Sequence, residues 1–215
     1  MIFTPKFKKE DGHKIFFISD LHIRHQKLVE SRGFRTVEEH DAAIINGWNS
    51  TVGNDGTVFM LGDFVLGAGE KSFEVYSGLL RDLNYKELYI CPGNHHAGVR
   101  KSLEMAEPID SLLRRRLNIN GKTVYFIPNY YEIFIGHVPI VLSHYPIISF
   151  NGQRAGAIHL HGHCHGSLGK NEWMQRNFYN CRVMDVGYEN VKKPISFDKV
   201  MWIMQDREVA TLDHH

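Results

Sequence analysis

Apolar runs that stop abruptly at polar residues recur along this chain and leave few folds open to it. Residues 15–18 read Ile-Phe-Phe-Ile, an unbroken series of β-branched and aromatic side chains, which is the pattern of a central strand covered on both faces. The run ends at Ser19-Asp20-Leu21-His22. Asp20 and His22 are thereby set at the carboxyl end of a buried strand, where open α/β sheets collect ligands. Two residues apart, a carboxylate and an imidazole can turn toward one point, and together they form an oxygen and nitrogen donor pair for a divalent metal. The arrangement recurs four times. Val58-Phe59-Met60-Leu61 ends in Gly62-Asp63, Leu88-Tyr89-Ile90-Cys91 in Pro92-Gly93-Asn94-His95, Ile140-Val141-Leu142 in Ser143-His144, and residues 157–161 in Gly162-His163-Cys164-His165. A lone Asp-x-His is weak evidence, since a strand-end Asp commonly caps a turn. Five strand ends in succession, each carrying Asp, Asn or His, are not explained by five separate turns. The glycines beside them fit a crowded site that backbone must approach closely.

Composition narrows the class. At 215 residues the chain is long enough for one well-buried domain, expected to span 1–215, and nothing requires a second. Hydrophobic content of 43% and charged content of 23% are those of an ordinary globular protein, without an apolar stretch near the roughly 20 residues that span a bilayer. No membrane partner is expected. The start, Met-Ile-Phe-Thr-Pro-Lys, lacks a signal-peptide core, and three cysteines without a Cys-x-x-Cys pair suit a reducing compartment, so a cytoplasmic location is expected. A formal net charge of +1 argues against a strongly basic nucleic-acid groove. Of the fourteen histidines, His214 and His215 at the very end are set aside.

Taken in order, residues 1–12 suggest an edge strand closed by Asp11-Gly12, and 27–35 a polar loop or short helix. Thr36-Val37-Glu38-Glu39 is a capping box that opens a helix through about Thr51, with Trp48 as its core anchor and Asn49 at its end. A second helix is expected over 72–83, giving a βαβ rhythm with parallel strands. Residues 100–117, with Lys101, Arg114, Arg115 and Arg116, read as a basic helix with a solvated face. Beyond Thr123 the rhythm changes to strands separated by turns: 123–127, 132–135 and 138–143, with His137 in a tight turn, then strands near Ile158, Val183 and Met201.

The ordered blocks Asp-x-His, Gly-Asp, Gly-Asn-His, His and Gly-His-x-His, from Asp20 to His165, resemble the signature of the calcineurin-like metallophosphoesterases. The likeness is strongest to a compact bacterial and phage branch in which the first block continues Asp-x-His-x-x-His, here through His25, and a helix ends in Trp48-Asn49. The resemblance implies an α/β fold, a four-layer α/β/β/α sandwich of two mixed sheets flanked by helices. It assigns one metal to Asp20, His22, Asp63 and His165 and a second to Asp63, Asn94, His144 and His163, with Asp63 bridging. Two divalent ions are then the expected cofactors; the donor set suits Mn, Fe, Ni or Zn, with manganese the expected activator. The implied reaction is attack of a metal-bridging hydroxide on phosphorus in a small-molecule phosphoester, most readily a nucleotide or cyclic-nucleotide diester. A nuclease or phosphatase acting on nucleic-acid ends is the alternative, and a non-catalytic metal-containing scaffold a third reading. His95 is the expected proton donor. Its usual carboxylate partners are replaced by Leu66 and His96, which makes His25 a second candidate for that role. Cys164, between two ligands, is expected to serve packing, and His159 and His161 to make hydrogen bonds in the core.

Overall fold

Alternation within the strands decides the layering. The computed structural model describes residues 4–66, 70–95, 105–109 and 114–209. In chain order its strands are β1 (Lys6–Phe7), β2 (Ile15–Ile18), β3 (Thr57–Leu61), β4 (Glu87–Cys91), β5 (Glu107–Pro108), β6 (Arg115–Ile119), β7 (Lys122–Phe126), β8 (Tyr130–Ile135), β9 (Val138–Ser143), β10 (Ile158–His161), β11 (Val183–Asp185) and β12 (Ile195–Ser196). Seven form one sheet in the order β12-β2-β3-β4-β7-β6-β5, and five form another in the order β1-β8-β9-β10-β11. Each sheet mixes parallel and antiparallel pairs: β2, β3, β4 and β7 run parallel, as do β9, β10 and β11, while β6 and β12 oppose their neighbours.

In β2 all four side chains are buried, but they go to different cores. Phe16 and Ile18 join Val58, Met60, Leu88 and Ile90 on the outer face, beneath helices α2 (Val37–Asn49) and α3 (Glu70–Asp82). Ile15 and Phe17 join Phe59, Leu61 and Tyr89 on the inner face, against Ile133, Ile140, Leu142, Ile158 and Leu160 of the second sheet. A period of two, with both faces covered, thus gives a helix layer and two sheets in contact. The outer face of the second sheet is covered by Phe150, Phe178 and Tyr179 from short helical segments and loops. The architecture is the expected α/β sandwich of two mixed sheets flanked by helices, with a thinner fourth layer.

Local signals explain the elements. Thr36 caps α2 by accepting the Glu39 N–H at 3.1 Å, while the Glu39 carboxylate accepts from the Arg35 N–H at 3.0 Å, one residue earlier than a reciprocal capping box would place it. Trp48 is fully buried and donates its indole N–H to Asn84 O at 2.8 Å, and Asn49 accepts the Asn84 N–H at 2.8 Å, so this pair anchors the end of α2. The edge strand β1 and the turn containing His137 lie where the sequence puts them.

Two expectations are overturned. The basic helix over 100–117 is not formed in its second half: residues 115–119 are β6, paired antiparallel with β7 across Asn120-Gly121, both at positive φ (51° and 80°). Asn-Gly is the preferred pair for a two-residue turn of this twist, and it outweighs the run of arginines. Residues 100–104 and 110–113 of that stretch lie outside the described residues. The strand expected near Met201 is a helix, Phe197–Met204, capped by the Ser196 hydroxyl, with Phe197, Val200 and Met204 buried at helical spacing. Among the described residues no helix is long and apolar enough to cross a membrane.

His159 and His161 sit inside this framework. The His159 Nδ1–H donates to Val141 O at 3.1 Å and Nε2 accepts the Ile147 N–H at 3.0 Å; burial, and then the neighbouring His161, push its pKa down to about 3. The fold therefore excludes a proton that the unfolded chain takes up near 6.5. Stability from this neutral histidine is complete above pH 6.5 and is lost as pH falls toward 3, with a slope of about 1.4 kcal/mol per pH unit for one excluded proton. Urea unfolding of chelator-treated protein between pH 7 and pH 4 should show the loss, and His159→Asn, less stable at pH 7, should show a shallower slope. An unchanged slope would move the acid sensitivity elsewhere.

Candidate metal centre

The carboxyl edges of the two sheets meet at one place. The Ser19 N–H donates to Val186 O at 3.0 Å, Asp20 N–H to Gly62 O at 3.1 Å, His22 N–H to Asp63 O at 2.9 Å and Gly162 N–H to His144 O at 3.0 Å. These bonds stitch together the residues that follow β2, β3, β9, β10 and β11. Asp20, His22, Asp63, His163 and His165 all have positive φ, between 48° and 69°. Such backbone is uncommon outside glycine and costs on the order of 1–3 kcal/mol per residue. In the first segment the turn sends Leu21 and Ile23 into the outer core, at 1% and 2% exposure, while Asp20 and His22 face the opposite way. Two glycines are required by proximity: a Cβ on Gly93 would strike the Asp63 carboxylate and backbone nitrogen, and one on Gly162 would strike the Ser19 hydroxyl and the Asp20 carboxylate.

Hydrogen bonds determine which ring nitrogens face inward. The His144 Nδ1–H donates to Leu61 O at 2.8 Å, so its Nε2 brings a lone pair; that atom lies 2.9 Å from Asn94 Oδ1 and 3.6 Å from Asp63 Oδ2. The His165 Nδ1–H donates to Glu189 Oε1 at 2.8 Å, leaving its Nε2 3.2 Å from His22 Nε2 and 3.9 Å from Asp20 Oδ1. His22 Nε2 is 3.8 Å from Asp20 Oδ1 and 3.5 Å from Asp63 Oδ2. Asp63 Oδ2 thus stands between His22 and His144. His163 Nδ1 is 2.9 Å from Asn94 Oδ1, and its N–H donates to Asp20 Oδ2 at 2.8 Å. The other Asp20 oxygen is buried and has no hydrogen-bond partner among the described residues.

Two trios have donor atoms within 4.8 Å of one another: Asp20, His22 and His165, and Asp20, Asp63 and His144. Donors about 2.1 Å from one ion stand about 3–3.5 Å apart in tetrahedral or octahedral geometry. The His144 to Asn94 pair brings together two acceptor atoms, a combination that a cation satisfies. The donor set fits divalent metal.

Electrostatics agree. Burial pushes the Asp20 carboxyl up to about 7, against the pull of His165, and pushes His22 down to about 2, with His165 and Arg32 adding to the effect. Burial also lowers His144. These histidines are held neutral, as metal ligation requires. His165 is raised, chiefly by its hydrogen bond to Glu189. Burial would raise Glu189, but the His165 hydrogen bond and the Arg32 charge outweigh it and hold the carboxyl at about 2.

His25 and His95 lie beside this cluster, with ring centroids 5.1 Å and 5.4 Å from His22 and 6.3 Å from each other. The His95 N–H donates to Asp63 Oδ1 at 2.8 Å, and among the described residues no side chain hydrogen-bonds its ring; His96 lies outside them. Leu66 instead continues the backbone pairing, donating its N–H to Ile23 O at 2.9 Å. Cys164 is half-buried, its thiol pushed up to about 11 by burial and then by Asp185 and Asp20. Sequence reasoning missed Arg32 and Glu189. Glu189 had a signal, because it follows a sixth strand end, β11, whereas Arg32 lay in a polar segment without period.

The calcineurin-like phosphoesterase family model matches residues 13–180. The chain is similar to the gene 66 protein of Mycobacterium phage L5, 26% identical over 196 residues that cover 86% of this chain and 91% of that protein. Its counterpart in Mycobacterium phage D29 is 26% identical over 214 residues, covering 90% and 97%. Among solved structures, AQ665 of Aquifex aeolicus, a protein of unknown function, superposes with a TM-score of 0.61 at 20% identity over 88% of this chain and 98% of that one, a likeness of fold. All nine sequence-predicted site residues fall inside the family match; Glu189 falls outside it.

The Gly162 contact yields a test. In Gly162→Ala the added methyl must displace the Ser19 hydroxyl, which donates to Leu61 O at 2.6 Å, or the Asp20 carboxylate. Overpacking of this kind costs about 1–3 kcal/mol, so thermal unfolding should shift down and metal uptake, measured by elemental analysis, should fall. A variant with unchanged stability and full metal content would contradict the packing described.

Proposed function

Because the chain belongs to the calcineurin-like phosphoesterases, a family of metal-dependent phosphoester hydrolases, we propose that it is a dinuclear hydrolase of phosphodiesters of the nucleotide or cyclic-nucleotide type. The observation that carries this reading is the convergence of donor atoms from Asp20, His22, Asp63, His144 and His165 in two trios that share Asp20. In this reading Asp20, His22, Asp63 and His165 hold one divalent ion, and Asp63, Asn94, His144 and His163 hold the other. A carboxylate at Asp63 has two oxygens and a full charge to share between them. The mixed nitrogen and oxygen donors favour a borderline metal, manganese first. The chemistry supplied by bound cations is Lewis-acid charge on the phosphoryl oxygens and a lowering of the pKa of water from about 15.7 toward about 7.

The protein's own groups do the rest. Leu61 O and Glu189 hold the His144 and His165 rings with Nε2 inward. His95 and His25, on the same side of His22, are the candidates to protonate the departing oxygen. Beside His163 and His165 opens a cleft of about 670 Å³ lined also by Tyr145, Pro146, Cys164, Ser167 and Leu168. Tyr145 is 41% exposed, and its ring tilts against His163 at 4.6 Å between centroids. A planar base stacked there gains about 1–3 kcal/mol, which supports a substrate that carries an aromatic base.

Hydrolysis of bis-p-nitrophenyl phosphate with Mn²⁺ should be readily measurable and should vanish on chelation. Absence of turnover with every divalent metal tried would end the enzyme reading for this substrate class.

The proton donor is separable by leaving group. General acid catalysis is worth roughly 10²- to 10⁴-fold, and p-nitrophenolate hardly needs it, whereas a ribose alkoxide does. His95→Ala should therefore lose far more activity on a nucleotide diester than on the nitrophenyl ester, with metal content unchanged. If His25→Ala shows that selective loss and His95→Ala does not, the donor is His25. Equal losses on both esters would assign His95 to phosphate positioning instead.

A further inference from the structure

Arg32 is buried, with 1% of its side chain exposed, and every nitrogen of its guanidinium is engaged. Nε and Nη2 both donate to Glu189 Oε1, at 2.8 Å and 2.7 Å. Nη2 also donates to Asp20 O at 2.7 Å and Nη1 to Leu21 O at 2.8 Å. Nη1 lies 2.8 Å from His40 Nε2, and the Tyr188 ring packs against the guanidinium at 4.8 Å. Glu189 Oε1 accepts in addition from His165 Nδ1. One planar cation is therefore bonded to the turn that carries Asp20 and to the carboxylate that holds His165, residues that follow strands of different sheets.

We propose that Arg32 and Glu189 are one positioning unit that sets the donor geometry of Asp20, His22 and His165 before a cation binds, and so governs affinity at that trio. The inference rests on the metal reading above. Two donors on consecutive carbonyls fix the orientation of the peptide planes on either side of Leu21, and with them the left-handed turn that aims Asp20 and His22 the same way. His165 is 30% exposed at its side chain, so packing alone does not hold its ring. The bond to Glu189 selects the rotation that points Nε2 at His22. Partners of this kind, beyond the ligands themselves, typically change metal affinity about 10- to 100-fold.

Glu189 Oε2 is buried and makes no hydrogen bond among the described residues, which provides a discriminating variant. Glu189→Gln gives up the charge but keeps an accepting oxygen, replacing the unbonded one by an amide; Glu189→Ala removes both. Calorimetric titration of metal-free protein with Mn²⁺ is the measurement, with thermal unfolding in chelator as the control for folding. Glu189→Ala should weaken one of the two binding steps about 10- to 100-fold and leave the other within a few-fold. Glu189→Gln should recover most of that loss. Arg32→Lys keeps the charge but loses the fork, and should weaken the same step about tenfold. Wild-type affinity in Glu189→Ala or Arg32→Lys, equal weakening of both steps, or Glu189→Gln as weak as Glu189→Ala would each overturn the proposal. Wild-type protein that takes up two Mn²⁺ but cleaves no phosphodiester would defeat only the proposed reaction; wild-type protein that takes up none would defeat both.

Discussion

Everything at the meeting point of the two sheets depends on how a buried carboxylate is compensated. Asp20 is wholly inaccessible, accepts a backbone N–H on one oxygen only, and has His22 and His165 beside the other. Burial first, with Asp63 adding to it and His165 opposing, pushes its carboxyl up to about 7. Taking an isolated carboxylate out of water costs several kcal/mol; the neutral His22 returns none of that as charge, while His165, raised by its hydrogen bond to Glu189, pulls the other way. A bound divalent cation would supply the opposite charge that this carboxylate lacks and would favour its ionised form. On the proposed reading, folding and metal uptake would therefore be coupled at Asp20.

The backbone accepts strain to reach this arrangement. Five site residues occupy the left-handed region, at an aggregate cost of several kcal/mol on the per-residue scale of about 1–3 kcal/mol. What offsets it lies next door in sequence. Leu21 and Ile23 are driven into the helix-side core, and the N–H groups of Asp20, His22 and Ile23 pair with the carbonyls of Gly62, Asp63 and Phe64. Hydrophobic burial of about 1.5–3 kcal/mol for each large side chain is comparable to the strain of Asp20 and His22, the two left-handed site residues of this turn. The same residues that look incidental in the Asp-x-His-x-x-His block are the ones that keep Asp20 and His22 aimed.

Much of this was legible in the chain because each signal was local. Apolar run, abrupt polar stop, glycine and ligand-type residue are adjacent in sequence, so five strand ends could be read from Asp20 to His165 and given a common destination. The helix end at Trp48 and Asn49 was legible for the same reason. What escaped depends on distance or on competition. Arg32 and Glu189 are 157 residues apart, and neither belongs to a periodic pattern that announces a buried ion pair. In β6 the arginines suggested a solvated helix, whereas the Asn120-Gly121 turn, a stronger constraint on backbone, imposed a hairpin. At residues 197–204 a serine cap and helical spacing of Phe197, Val200 and Met204 outweighed the β propensity of Val200 and Ile203.

The histidines of β10 and its extension show why residue type and position are insufficient to recognise a ligand. His159, His161, His163 and His165 alternate along one run, and all four lie close to other imidazoles. His159 spends both nitrogens on the protein, one on Val141 O and the other on the Ile147 N–H. His161 does the same with Gly162 O and the Tyr179 hydroxyl. Neither has a lone pair left for a metal, and both are fully buried within the strand. His165 spends only Nδ1, on Glu189, and turns Nε2 inward. The difference arises where β10 ends: within the strand the ladder fixes alternate side chains against the outer core, and beyond it Gly162 and two left-handed residues, His163 and His165, redirect the chain toward Asp20. A histidine becomes available for ligation here when the backbone leaves the sheet and one ring nitrogen is left without a protein partner.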